Sequence, residues 1–260
     1  MKISSDQALK VKGFIKEKDL FSLLLSISKY EKSALYSDFN SYLIGQSSSK
    51  YQTWIWSLDK LDKEQYLKLK EDLNKHLKKG ENKFTCKKEL YELLSKDYKT
   101  SDYFEMGFLV CKDLIKPDTK KEIFVKINYT DKVSIAEYFR DFEKEVNHKN
   151  ISQKEALEEA EHLIDDDTYY VLKDSSGDIL CMAGYSLDDD LAKISHVFTP
   201  IEYRRKGYCQ RIIYEITKKL LDDGYKPILY TDLNYAASNK AYKKVGYEDK
   251  GFLINFTITI

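Results

Sequence analysis

The chain has 260 residues, and its 43 basic and 43 acidic side chains cancel to a formal net charge of +0. Hydrophobic residues make up 42% and charged residues 33%, with 3 Pro and 10 Gly, which fits a soluble globular protein of one large or two small domains and argues against disorder. The cancelling charges disfavour a general nucleic-acid binder, and no apolar run is long enough for a spanning helix. Met1-Lys2-Ile3-Ser4-Ser5-Asp6 lacks the apolar core of a signal peptide. Cys86, Cys111, Cys181 and Cys209 are widely spaced without a C-x-x-C pair, so neither a metal nor a disulfide is expected and a reducing cytoplasm is the natural compartment. The 21 tyrosines are scattered and read as packing residues with a polar tip.

In chain order, Asp19 to Lys29 reads as a buried helix and Tyr51 to Trp56 as a short strand rich in β-formers. Trp54 and Trp56 share a strand face, as core residues or as a pocket lining. The spacing of Tyr66, Leu69, Leu73 and Leu77 predicts a helix over Asp62 to Lys79, ended by Gly80, with His76 exposed on its polar side. Thr85 is placed to cap a helix from Cys86 to Leu94. Tyr103 to Cys111 reads as a second strand. The lysine-rich stretch Lys116 to Lys121 reads as a linker between a helix-rich α/β domain, 1–120, and a second domain, 121–260.

In the second domain, Glu122 to Ile127 reads as a strand and Ser134 to Val146 as an amphipathic helix. Ser152 and Glu155 form an S-x-x-E capping box that opens a helix to about Leu163. Asp165, Asp166 and Asp167 are adjacent rather than spaced to converge on one ion, so they read as a turn. Strands follow at Thr168 to Lys173, Ile179 to Ser186 and Leu191 to Thr199, joined by turns at Ser175 to Asp178 and Asp188 to Asp190. Gly184 inside the second of these marks a bulge or a close backbone approach. Regular alternation in the third puts His196 and Phe198 on one face and Ser195 and Val197 on the other. A long helix runs from Gly207 to near Gly224, then a strand at Pro227 to Asp232, a short helix at Ser238 to Lys244 closed by Gly246, and a last strand at Phe252 to Ile260.

Within this order, Val197 to Gln210 is a strand, a basic glycine turn and a helix N-terminus in succession. The first turn of a helix leaves backbone N–H groups unpartnered, and the helix dipole favours an anion there. Arg204, Arg205 and Lys206 add positive charge, so the stretch reads as a phosphate site.

Two segments then carry a resemblance. One is Arg204-Arg205-Lys206-Gly207-Tyr208-Cys209, after Val197 and Pro200; the other is Ser238-Asn239-Lys240-Ala241-Tyr242-Lys243-Lys244-Val245-Gly246-Tyr247. On these predicted elements, the region from about Glu122 to Ile260 resembles the GNAT superfamily of N-acyltransferases. They look like the superfamily's Q/R-x-x-G-x-G/A turn and N-x-x-x-Y-x-x-x-G-F/Y segment. The turn departs at Cys209, where Gly or Ala is usual, and Tyr235 falls where a close subfamily has its first asparagine. A thiol at a helix N-terminus can have a lowered pKa, but packing is the expected role of Cys209.

The resemblance implies an α/β (α+β mixed) fold, a central mixed sheet flanked by helices. The first half is then a degenerate half-copy or a domain of another kind; it lacks a basic glycine turn and is expected to bind no coenzyme. The implied activity is direct acetyl transfer from acetyl-CoA to a primary amine in a ternary complex, without a metal. The other readings are a larger acyl-CoA donor or an inactive CoA-binding regulator. A homodimer is among the open assemblies; nucleic acid and membrane are not expected partners. The implied coenzyme contacts are Val197, Phe198, Thr199, Arg204, Arg205, Lys206, Gly207, Tyr208, Cys209, Gln210, Asn239 and Tyr242. Backbone N–H groups of Arg205 to Gln210 would hold the pyrophosphate, and Val197 to Thr199 would pair with the pantetheine arm. Tyr242 is the implied general acid, and an N–H near Phe198 or Thr199 the oxyanion donor. His196 is either the base or a hydrogen-bonded sheet histidine, and a water chain replaces a single base in many members.

Overall fold

A computed structural model describes residues 1–30, 32–48, 51–118 and 122–260. The chain forms two compact units. The first comprises Met1–Phe108, Thr231–Asn234 and Asp249–Ile260, and the second Leu109–Tyr230 and Tyr235–Glu248. The units are therefore interleaved along the chain, whereas the sequence suggested two consecutive domains. Part of the expected linker, residues 119–121, lies outside the described residues.

The first unit opens with α1 (Ser5–Ala8), a 3-10 turn at Phe14–Glu17 and α2 (Ser22–Lys29). Then come β1 (Ala34–Ser37), β2 (Tyr42–Gln46), β3 (Thr53–Ser57), α3 (Lys63–Asn74), β4 (Glu81–Cys86), α4 (Lys88–Asp97) and β5 (Thr100–Cys111). β1, β2 and β3 form an antiparallel meander, and β3 runs parallel to β4. Asp62 caps α3 by accepting from the Gln65 N–H at 2.9 Å, so a carboxylate fills this helix N-terminus.

Three expectations fail in this unit. α3 stops at Asn74, and Gly80 instead leads into β4, its N–H bonding the Ile260 carbonyl at 3.0 Å. Thr85 lies in β4 with its hydroxyl bonded to Asn255, so it caps nothing. His76 is buried, its ring edge-on to Tyr36 at 4.8 Å, because the chain turns inward once the helix has ended. Trp54 and Trp56 are core residues, and the Trp56 indole donates to Glu17 at 2.7 Å.

The second unit is built from β6 (Ile123–Lys126), α5 (Lys132–Val146), α6 (Gln153–Asp165), β7 (Tyr169–Lys173), β8 (Ile179–Asp188), β9 (Leu191–Phe198), α7 (Tyr208–Asp222), β10 (Lys226–Asp232) and α8 (Ala236–Val245). β11 (Tyr247–Thr259) starts here, and its later residues pair antiparallel with β4. β6 to β9 are antiparallel neighbours, and β9 runs parallel to β10. The Ser152–Glu155 capping box forms as the sequence predicts. The α7 stripe Ile212, Ile213, Ile216 and Leu220 packs into a core with β7, β8 and β9. Each such side chain contributes about 1.5–3 kcal/mol by leaving water. The opposite sheet face packs on α5 and α6 through Phe139, Ala156, Ala160, Val171 and Phe198.

Both units follow one plan. β1 to β4 with α3 repeat the order and strand directions of β7 to β10 with α7, the parallel pair β3/β4 answering to β9/β10, and α4 and α8 follow in turn. Among the described residues, no helix is long and apolar enough to cross a membrane.

Candidate functional site

Where β9 ends, its pairing with β10 has already stopped, the last partners being Ile194 and Leu229. The backbone beyond Ile194 is therefore outside the parallel ladder. On its other edge β9 carries a bulge: Gly184 faces Ser195 and Met182 faces Phe198, so β9 spends one more residue than β8. His196 takes a left-handed conformation there, with φ 51°.

The bulge changes which side chain faces which layer. Val197 packs with Ile194 on the α7 side, while Phe198 belongs to the α5/α6 core. His196 touches Phe139 and Phe142 of α5, and Ser195 bonds Tyr169 on that same side. His196 and Phe198 thus share a face as expected, but Ser195 joins them rather than Val197. Regular alternation does not survive an inserted residue.

After Pro200 a 3-10 turn at Ile201–Tyr203 leads to the basic turn. Arg205 at φ 62° and Gly207 at φ 89° are both left-handed, which folds successive N–H groups into a concave surface. A Cβ at Gly207 would meet nothing within 4 Å, so backbone conformation requires glycine there, and open space lies in front of it. α7 starts without a side-chain cap, as does α8, in contrast to the capped N-termini of α3 and α6. First-turn residues of both uncapped helices line one cleft of about 230 Å³.

The cleft is lined by Val197, Phe198, Thr199, Arg204, Arg205, Gly207, Tyr208, Cys209 and Gln210, all singled out from the sequence. Glu145, Val146, Tyr203, Tyr235, Ala237, Ser238 and Ala241 complete the lining. Lys206, Asn239, Tyr242 and His196 are not part of that lining. Glu145 and Val146 come from the far end of α5, and no local sequence signal ties them to the glycine turn. Ser238 was findable, because it stands four residues before Tyr242 on one helix face.

Arg204 is held on both sides. Its Nε donates to the Thr199 carbonyl at 2.8 Å and its Nη2 to Glu145 Oε2 at 2.6 Å, while the guanidinium lies 5.8 Å from the Phe198 ring centre. The Lys206 ammonium sits 5.4 Å from the Tyr203 ring centre. The Thr199 hydroxyl donates to the Cys181 thiol at 3.1 Å.

Tyr242 is 8% exposed and its hydroxyl bonds Ser238, which faces the cleft. Burial, reinforced by the Cys209 and Cys181 thiols, holds the phenol well above its ordinary pKa. Burial pushes the Cys209 thiol up to about 12, so the helix N-terminus does not activate it. The His196 imidazole is lowered to about 4 by burial and then by Lys193, and Tyr169 Oη bonds its Nδ1 at 2.7 Å. Among the described residues, no group of His, Cys, Asp and Glu is arranged to hold a metal ion.

The model of the Acetyltransferase (GNAT) family matches residues 132–247, a little under half of the chain. No curated protein matches the chain in sequence. A GCN5-related N-acetyltransferase from Sphaerobacter thermophilus superposes with a TM-score of 0.67 at 10% identity, covering 98% of this chain and 93% of that one. An acetyltransferase from the GNAT family of Colwellia psychrerythraea gives 0.59 at 13% identity, covering 100% and 99%. A GCN5-related N-acetyltransferase from Kribbella flavida gives 0.58 at 11% identity, covering 99% and 96%. At these identities the likeness is one of fold, and it extends over the whole chain. Residues 132–247 are thus a GNAT acetyltransferase domain, set in a chain with the mixed α/β fold of solved GNAT proteins.

Proposed function

We propose that the protein is an N-acetyltransferase that moves an acetyl group from acetyl-CoA to a primary amine by direct attack in a ternary complex. The observation that carries this reading is the cleft itself: two uncapped helix N-termini, a left-handed basic turn and an unladdered strand end meet in one place.

The backbone N–H groups of Arg205 to Gln210 would hold the pyrophosphate, since helix-terminal N–H groups and their dipole favour an anion. The freed backbone of Val197 to Thr199 would take the pantetheine arm as an added strand. Arg204 fixes the Thr199 carbonyl and neutralises Glu145, which otherwise opposes an anionic ligand. An N–H at Phe198 or Thr199 would polarise the thioester carbonyl.

Tyr242 is the proton donor to the departing thiolate. Its phenol stays protonated, and Ser238 connects its hydroxyl to the cleft. We assign no base to His196: neither it nor Tyr169, the partner of its Nδ1, lines the cleft, whereas Tyr242 is linked to the lining through Ser238. The carboxylate that does line the cleft, Glu145, is paired with Arg204. The proton of the attacking amine therefore leaves through water. In the first unit the link between β3 and α3, Ser57 to Asp62, is acidic and α3 is capped by Asp62, so no second coenzyme is expected there.

The test is a screen of primary amines against acetyl-CoA with a thiol-detecting reagent. Thiol release that requires an amine supports the reading. Coenzyme binding without release by any amine would instead support a coenzyme-binding regulator, and faster release from a longer acyl-CoA would support a different acyl donor.

A further inference from the structure

The bulge in β9 falls where the parallel ladder to β10 ends, and three residues converge on it. Gly184 lies opposite, and a Cβ there would come within 2.4 Å of the Tyr169 ring, so the ring lies flat against bare backbone. From that position Tyr169 Oη reaches His196 Nδ1 at 2.7 Å, and Ser195 bonds the same tyrosine. The His196 ring is bracketed by Phe142 at 5.2 Å and Phe139 at 5.8 Å between ring centres. A non-glycine residue at φ 51° is strained and persists where its surroundings over-determine it. Here the bond to Tyr169 and the two phenyl rings do so.

The conformation has a consequence for the next residues. One inserted residue shifts the alternation of everything after it. That shift sends Val197 to the α7 side and aims the backbone of Val197 to Thr199 at the cleft.

We infer that Tyr169, Gly184 and His196 form a clasp that holds the β9 bulge and so presents Val197 to Thr199 to the coenzyme, making His196 a positioning residue. This rests on the reading of the cleft as a coenzyme site, but the clasp also has a consequence in the ligand-free protein. The β8/β9 pairing beside the bulge, Gly184 with Ser195 and Met182 with Phe198, holds only while the clasp is closed, so exchange of the amides from Met182 to Gly184 reads the clasp without ligand.

The experiment compares wild type with Tyr169→Phe, His196→Val and His196→Asn in the full chain. It measures amide exchange without ligand, CoA affinity by calorimetry, and KM, kcat and the pH profile with the best amine. Tyr169→Phe deletes one oxygen and His196→Val disfavours the left-handed backbone. Both should speed exchange from Met182 to Gly184 and raise Kd for CoA and KM for acetyl-CoA about tenfold, the worth of one hydrogen bond, with little change in kcat. His196→Asn tolerates the left-handed backbone and offers an acceptor, so it should recover most of the affinity. Gly184→Ala, which displaces the tyrosine ring, should match Tyr169→Phe if His196→Val fails to fold.

Unchanged exchange in Tyr169→Phe overturns the clasp. So does a lower melting temperature with unchanged Kd and KM, which marks a merely structural contact. Loss of kcat with its acid limb in both His196 variants overturns it in favour of a base. Faster exchange in the variants, with no CoA binding by wild type, leaves the clasp standing and removes the coenzyme reading.

Discussion

Arg204 donates to Glu145 at 2.6 Å, and both side chains line the cleft where the basic turn and the first turn of α7 favour an anion. A carboxylate lining such a cleft is tolerable because the guanidinium neutralises it. Both side chains are 38% exposed, so the pair adds little to stability, about 1 kcal/mol or less. Its importance is for binding, and the two partners should respond with opposite signs. Glu145→Ala removes negative charge and should tighten CoA binding by about two- to fivefold at low salt. Arg204→Ala leaves Glu145 unneutralised and releases the Thr199 carbonyl, and should weaken binding by about tenfold or more. Calorimetric titrations at two salt concentrations check both.

Tyr242→Phe should lower kcat by about a hundredfold, the usual worth of a positioned proton donor, with little effect on KM for acetyl-CoA. Ser238→Ala, which cuts the hydroxyl off from the cleft, should show a smaller loss of the same kind. An unchanged rate across the pH range in Tyr242→Phe would remove the tyrosine as the acid.

Gly207→Ala separates backbone strain from ligand contact. Nothing stands within 4 Å of the added methyl group, so the stability cost comes from φ 89° alone and should be about 1–2 kcal/mol in denaturant melts. Coenzyme affinity should fall further than that cost explains, because the methyl group projects into the space meant for the ligand. Equal affinity in wild type and variant would place the phosphates elsewhere.

Stability should fall with acid before the carboxylates titrate. Burial lowers the imidazoles of His76 and His196 to about 4. The folded chain then binds fewer protons than the unfolded chain, whose histidines titrate near 6.5. Stability therefore decreases as pH drops from about 6.5 to about 4 and is insensitive to these groups above that window. The loss is on the order of a few kcal/mol for each group. Melting temperatures of wild type and His76→Asn across this range check it, the variant showing the flatter curve.

Much of the second unit could be read from the chain because its signals are local. The α7 stripe, the Ser152–Glu155 box and the turns at Ser175–Asp178 and Asp188–Asp190 each lie within one element or one link. Gly184 was likewise legible as a bulge mark, although the partner that demands it, the Tyr169 ring, is distant in sequence. The first unit hid more. β4 is a strand because β3 and the last residues of the chain pair with it, and neither partner leaves a trace between Glu81 and Cys86. Leu77 continued a helical rhythm past Asn74, where the helix ends, and this misplaced His76 on the surface. In the cleft, the strand, turn and helix contacts were visible as one contiguous motif. Glu145 and Val146 belong to another helix, and the effect of the bulge on strand parity could not be seen without the β8 register.

The central claim is that the coenzyme lies along the end of β9 with its pyrophosphate at the start of α7. Amide hydrogen exchange of the full chain with and without saturating CoA tests it most directly. The predicted result is one CoA bound per chain, with slowed exchange confined to Val197 to Thr199, Arg205 to Gln210 and the first turn of α8. Absence of binding, or protection at Ser57 to Asp62 in place of these segments, would contradict it.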